Sequence, residues 1–273
     1  MKVGFIGLGN QGGPIARRMM EQGADLTVWA RRREALEPFI AAGATAAPSP
    51  AALAQACDVI GVCVVADDDV RQVITGEEGL LAGARPGAVI AVHATIAPQT
   101  VIDLEKQAAA RGVHLLDAPV SGGPKGALAG TMTVMTGGSA EALAIARPVF
   151  DLFAAAVPHL GPAGSGQIMK LLNNNLCYAN AALAVSALRI AKGLGVDPGR
   201  AAEIMLISSG MSRGLEIVAD PKVLAKAAGP TSNIRKDVGH FVDLLEDPSL
   251  ADALLARVTQ GAADAIEGYA REG

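Results

Sequence analysis

Lys2-Val3-Gly4-Phe5-Ile6 runs straight into Gly7-Leu8-Gly9-Asn10-Gln11-Gly12 and then into Pro14-Ile15-Ala16-Arg17-Arg18-Met19-Met20. The order is strand, glycine turn, helix. In that setting Gly7 permits the tight turn, Gly9 lets a pyrophosphate approach the backbone, and Gly12 lets the helix pack closely on the strand, with the anion at the helix N-terminus. A glycine pattern alone is weak evidence, because many loops contain one. Held between a strand and a helix at the start of the chain, it points to a dinucleotide site whose phosphate loop comprises Gly7, Leu8, Gly9, Asn10, Gln11 and Gly12.

Working outward, the next strand covers residues 25–30 and ends at Ala30-Arg31-Arg32-Arg33. A site that prefers NAD usually places a carboxylate there for the ribose 2′-hydroxyl, whereas guanidinium groups match the 2′-phosphate of NADP. The pattern favours NADP over NAD, with Ala30, Arg31 and Arg32 at the adenosine end and Arg31 nearest the strand. The competing reading is a surface helix that happens to open on three arginines. Alternation continues with a buried strand at 58–65, a polar turn at Asp67-Asp68-Asp69, a short helix at 70–74, a strand at 88–93, a helix at 100–111 and a strand at 113–117. Strands alternating with helices predict an α/β, doubly wound, Rossmann-type sheet, mainly parallel, with its ligand crevice beyond the strand C-terminal ends. Val65, His93 and Asp117 all fall on that side.

Three consecutive carboxylates cannot converge on one ion, so Asp67-Asp68-Asp69 reads as a cap for the following helix and no metal is expected. His93 and His114 read as strand-end and surface histidines. After Asp117-Ala118-Pro119-Val120, the run Ser121-Gly122-Gly123 offers backbone N–H groups suited to a carboxylate, or else is an ordinary turn. Following a helix at 140–150 the pattern changes to helices alone. The chain therefore divides into a nucleotide-binding domain at 1–161 and an all-helical domain at 162–273. Gly164-Ser165-Gly166-Gln167-Ile168-Met169-Lys170-Leu171-Leu172-Asn173-Asn174-Asn175 opens the second part. Lys170 and Asn174 stand four apart, one above the other on a helix face. Lysine is a compact three-donor cation whose pKa falls on burial, and asparagine offers a donor and an acceptor to a small polar ligand. On these residues alone, a catalytic pair and a solvated helix lysine stand even.

The 273 residues are 51% hydrophobic, enough for a sizeable core, and the net charge of −4 argues against a nucleic-acid binder. Cys57, Cys63 and Cys177 lack metal spacing and read as core thiols of a reducing compartment, without disulfide or zinc. Mean hydropathy is +0.34. The most apolar helical stretch, 176–190, is interrupted by Asn180, Ser186 and Arg189 and reads as a buried helix, too short to cross a membrane. Met1 leads directly into a strand pattern, so a cytoplasmic location is expected. Long apolar helices in a segment of this size predict a homodimer or homotetramer through the helical domain.

The chain resembles the β-hydroxyacid dehydrogenase family, the group that includes 3-hydroxyisobutyrate dehydrogenase, over nearly its whole length. The resemblance rests on the Gly7 to Pro14 loop, Thr95-Ile96-Ala97-Pro98, Asp117 to Gly123, Gly166 to Asn174, and Lys236-Asp237. It implies reversible NAD(P)-dependent oxidation of a small 3-hydroxy acid, with Lys170 as the catalytic residue and general acid/base. It further implies that Ser121, Gly122, Gly123 and Asn174 bind substrate, while Thr95 and Lys236 lie where cofactor and substrate meet. Gln11, His93-Ala94 and His240-Phe241 depart from the family pattern, so the substrate does not transfer with the name. Reduction of tartronate semialdehyde or another short aldehyde acid is an alternative. The related imine reductases share the fold but usually lack the lysine. A non-catalytic NADP-binding protein would have no need of Lys170 with Asn174.

Overall fold

The computed structural model describes residues 1–230, 232–245 and 254–272. The chain folds into two compact units, Met1–Lys170 and Leu171–Gly273. The division falls inside one long helix, Ser165–Gly193.

In the first unit six strands form one sheet: β1 (Val3–Ile6), β2 (Leu26–Trp29), β3 (Thr45–Ala46), β4 (Val59–Val62), β5 (Val89–Val92) and β6 (His114–Asp117). Their order is β3-β2-β1-β4-β5-β6, and every pairing is parallel. The inner strands read Val-Gly-Phe-Ile, Val-Ile-Gly-Val and Val-Ile-Ala-Val and are buried along their length, as a sheet covered on both faces requires. Their two-residue period then sorts the side chains. Val3, Phe5, Val59, Val89 and Ala91 enter one apolar layer, while Ile6, Ile60, Val62, Ile90 and Val92 enter the other. The winding direction reverses between β1 and β4, which opens a crevice at the carboxyl ends of those strands.

A second, smaller sheet was not legible as such: β7 (Val120–Ser121), β8 (Met132–Val134) and β9 (Ala154–Ala156), with β7 antiparallel and β8/β9 parallel. The expected capping by the carboxylates at 67–69 falls to Asp69, but the three do not precede the helix. They are not a turn but the first turn of the helix Asp67–Thr75, where negative charge suits the helix dipole. Asp69 Oδ2 accepts from the N–H of Ala66 at 3.4 Å. Asp67 reaches another helix. Its Oδ1 accepts from Ala97 N (3.0 Å) and Thr100 Oγ1 (2.6 Å), at the start of the helix Pro98–Ala109.

Among the described residues the regular elements of the second unit are all helices: beyond Ser165–Gly193 come Pro198–Leu206, Arg213–Ala219, Pro221–Ala227, Ile234–Asp243, Leu254–Gln260 and Ala262–Glu272. Asp197, Ser212 and Asp220 each accept a backbone N–H from the helix they precede. The stretch 176–190 is not buried all round. Ala181, Ala184, Val185 and Leu188 enter the core of the unit, whereas Leu176, Leu183 and Ile190 are more than half exposed. Among the described residues no helix is long and apolar enough to cross a membrane, and no group of three or more His, Cys, Asp or Glu could hold a metal ion.

Candidate functional site

At the end of β1, Gly7 takes φ 95°, and a Cβ there would be driven into the carbonyl of Cys63. A Cβ on Gly12 would meet the carbonyl of Gly7 and stand 3.0 Å from the Phe5 ring. Both positions therefore admit only glycine. Gly9 is different, because a Cβ there would point into space with nothing within 4 Å. The room above Gly9 leads into a cavity of about 1000 Å³. The helix that follows, Gly12–Glu21, has no acidic residue in its first turn, so the positive end of its dipole is left for an anion. A tight turn, an open cradle and an uncompensated helix end fit a dinucleotide pyrophosphate.

Of the residues proposed from sequence for the cofactor, Gly7, Leu8, Gly9, Ala30, Arg31, Arg32 and Val65 line this one cavity. Asn10, Gln11, Gly12, Thr95 and Lys236 do not. Gln11 directs its amide at the sulfur of Met132 (3.9 Å). The cavity also takes in Trp29, Gln72, Glu77 and Glu78, and Asp69, which the sequence suggested only as a helix cap. Asp69 Oδ1 lies 2.9 Å from Arg31 Nη2. Cys63, also on the wall, has its thiol pushed up to about 12 by loss of solvent.

The carboxyl end of β6 fastens the start of the long helix. Asp117 is fully buried, and its carboxylate accepts from Gly164 N (3.0 Å) and Gln167 N (2.9 Å), the orphan donors of the first turn. Burial raises its pKa, and the hydrogen bonds from Gly164 and Gln167 oppose the rise. Gln167 is fully buried too. Its Oε1 accepts from Ile96 N (3.1 Å) and its Nε2 donates to Ala94 O (2.8 Å), gripping the loop on both sides of Thr95. Lys170 follows three residues later on the same helix and is only 9% exposed. Neither Asp117 nor Gln167 had been assigned a role from sequence. The available signals were a carboxylate ending a strand and an amide one turn before the lysine.

His93 directly follows β5, at the strand end as expected, and is buried there against Phe5, Phe150 and Phe153, with ring centroids at 5.9, 5.7 and 5.8 Å. Its Nδ1 is 2.8 Å from Ala118 O. Burial lowers its pKa to about 4, so the ring is neutral and Nδ1 carries the proton donated to that carbonyl. Ser121 ends β7, paired with Thr133, and Gly122 and Gly123 follow at φ 129° and 62°, a turn that excludes side chains.

In the helical unit Asp237, 2% exposed, collects three partners. Its Oδ2 accepts from Asn174 Nδ2 (2.8 Å) and Tyr178 Oη (2.9 Å), and Lys236 Nζ lies 3.6 Å from Oδ1. Burial, then the Asp237 charge, raises the Tyr178 pKa, which keeps the phenol a donor. Asn174 is thus held by the protein through Nδ2, and its Oδ1 accepts from Asn173 (3.3 Å). Phe241 packs with Leu171 and Ala256 in a small apolar cluster.

Residues 2–161 match the family described as the NAD binding domain of 6-phosphogluconate dehydrogenase, and residues 164–272 match the NAD-binding domain of NADP-dependent 3-hydroxyisobutyrate dehydrogenase. An oxidoreductase of Mycobacterium tuberculosis is 42% identical over 72% of this chain, and that match spans 66% of its own length, just short of two thirds. The NAD-dependent L-serine dehydrogenase of Pseudomonas aeruginosa is 38% identical over 79% of the chain and 72% of its own. The solved structure of Mycobacterium tuberculosis 3-hydroxyisobutyrate dehydrogenase with L-serine superposes with a TM-score of 0.82 at 28% identity, covering 99% of this chain and 94% of that one.

Proposed function

Since the chain belongs to the β-hydroxyacid dehydrogenase family, we propose that it interconverts a small 3-hydroxy acid and its aldehyde acid, with NADP or NAD as the redox partner and Lys170 as general acid/base. The observation that carries this reading is the seating of the lysine helix: Asp117 and Gln167 tie its first turn to β6 and to the Thr95 loop, one turn before Lys170.

Gly7, Leu8, Gly9 and the N-terminus of Gly12–Glu21 would hold the pyrophosphate, and Ala30, Arg31 and Arg32 the adenosine end. The nicotinamide, when bound, supplies the hydride acceptor. With that acceptor bound, the alcohol carbon would give up its hydrogen with both bonding electrons, and Lys170, acting as base, would take the hydroxyl proton. The carbonyl forms from the electron pair of the broken O–H bond, so charge and atoms balance; reduction runs the same steps backward. Ser121, Gly122 and Gly123 would bind the substrate carboxylate through neutral donors. Asn174, steadied by Asp237, would orient the hydroxyl, and the family resemblance assigns Thr95 and Lys236 to cofactor binding.

We would test first two compounds that the relatives' names mention, 3-hydroxyisobutyrate and L-serine, which share a primary hydroxyl one carbon beyond the carbon that bears the carboxylate. A spectrophotometric screen of short 3-hydroxy acids with NADP+ and NAD+, and of their aldehyde acids with the reduced cofactors, tests the proposal. Turnover of at least one such pair is expected. Activity confined to imines, or none with any hydroxy acid despite dinucleotide binding, would reject it.

A further inference from the structure

The acid that an NAD site usually carries at the end of the second strand is absent here, since Trp29 is followed by Ala30 and Arg31. A carboxylate nevertheless reaches that end of the cavity from another element. Asp69, in the first turn of Asp67–Thr75, pairs with Arg31 at 2.9 Å, and both line the cavity with Arg32. The two partners are unequally held. The Asp69 side chain is 23% exposed, sits at a helix N-terminus that favours its charge, and accepts from Ala66 N. The Arg31 side chain is 67% exposed. The carboxylate is the fixed partner and the guanidinium the one free to swing.

We propose that Asp69 is a specificity-determining residue that competes with the cofactor's 2′-phosphate for Arg31 and so restrains the preference for NADP that Arg31 and Arg32 create. The proposal rests on the dinucleotide reading of the cavity. Its electrostatic basis is local. The ionised side chains lining the cavity are Arg31 and Arg32 against Asp69, Glu77 and Glu78, a formal balance of −1. A 2′-phosphate adds about −1.5 to −2 charges at neutral pH, so it must draw Arg31 from Asp69 while standing near that carboxylate. NAD lacks the phosphate and leaves the pair closed, with the Asp69 carboxylate still present as an acceptor at the adenosine end.

The chain contains a single tryptophan, Trp29, and it lines this cavity, so its fluorescence reports binding without turnover. Titrate NADP+, NAD+ and 2′,5′-ADP into the wild type, Asp69→Asn, Asp69→Ser, Arg31→Gln and the Asp69→Asn/Arg31→Gln double variant. Asp69→Asn and Asp69→Ser should each bind NADP+ and 2′,5′-ADP about 2- to 5-fold more tightly, the scale of a partly exposed ion pair, without tightening NAD+. The gain should disappear when Arg31 is Gln. Folded Asp69 variants with NADP+ affinity unchanged or weakened overturn the selector while leaving the dinucleotide reading intact, and so does a gain that survives Arg31→Gln. Wild-type protein that binds none of the three ligands, checked by calorimetry, overturns both.

Discussion

Lys170 is nine-tenths buried in the first turns of a helix whose start is pinned from below, and the role proposed for it would rest on a proton that arginine would not release. General acid/base assistance is worth ~10²–10⁴-fold, so Lys170→Ala should lower kcat on that scale. Dinucleotide affinity should be kept, because the pyrophosphate loop at Gly7 to Gly12 is untouched. Lys170→Arg should not restore turnover, as it keeps charge but not proton transfer. A folded Lys170→Ala protein with near wild-type turnover would return the residue to the rank of a helix lysine. His93 supports a separate prediction about stability. Its folded pKa of about 4 lies below the unfolded value of about 6.5. Between these values the unfolded chain binds the proton and the folded one does not, so stability is full above pH 6.5 and is lost as pH falls toward 4, by up to about 3 kcal/mol. Asp117 acts in the opposite sense: its raised pKa means that protonation favours the fold, so its contribution fades as pH rises from the ordinary carboxylate range. His93→Gln keeps a donor for Ala118 O but cannot titrate. Denaturant unfolding at pH 7.5 and 4.5 should show a smaller acid loss in the variant than in the wild type, and equal losses would remove His93 as the source.

At the level of elements, the joint between β6, the Thr95 loop and the helix Ser165–Gly193 is made by two side chains, and it converts into an expectation for Gln167. Gln167→Leu keeps the volume and orphans the N–H of Ile96 and the C=O of Ala94, at about 1–3 kcal/mol for each buried group. A fall in melting temperature alone would fit a merely structural residue. A positioning residue for Lys170 and Thr95 should also lower kcat about tenfold or more in the folded variant, with the dinucleotide dissociation constant unchanged. Retained kcat in a folded, less stable variant would confine Gln167 to structure. These tertiary bonds mark where sequence stopped being informative. The β1–glycine–helix unit, the alternation of buried strands and the switch to helices were legible because each is a local pattern of period, turn chemistry and burial. The cap from Asp67 to a helix thirty residues onward was not, nor the Gln167 grip on a loop seventy residues before it, because nothing local sets those distances. The sheet of β7, β8 and β9 escaped for a related reason. Its strands are two or three residues long, and Ala154-Ala155-Ala156 has little intrinsic preference for a strand, so pairing partners decide its state. Arg31 and Asn174 could be singled out from the sequence as candidate residue types, but their pairings with Asp69 and Asp237 could not.

For the whole molecule the long helix raises a question of surface. Along it Met169, Leu176, Leu183 and Ile190 recur every seven residues and are exposed by 39, 54, 57 and 59%, with Leu172 at 40% beside them. The other face is closed within the helical unit, where Gly214 approaches the backbone at Ala181 so closely that a Cβ would collide with it, and where Ala184, Val185 and Leu188 join the core. A seven-residue apolar period is the pattern of a helix seam awaiting a second helix, and a stripe of five large side chains exceeds what scattered surface apolar residues explain. A two-fold partner would present the same stripe in return, as an isologous interface requires. We therefore expect a homodimer, or a tetramer that contains it, formed through this face. Multi-angle light scattering at micromolar concentration should return at least twice the chain mass for the wild type. Leu176→Glu/Leu183→Glu places charges along the seam without touching the core face, so it should give a folded monomer, with unchanged helical circular dichroism and NADP+ still quenching Trp29. A wild-type monomer under these conditions, or a double variant that stays dimeric, would show that the exposed stripe is not the interface.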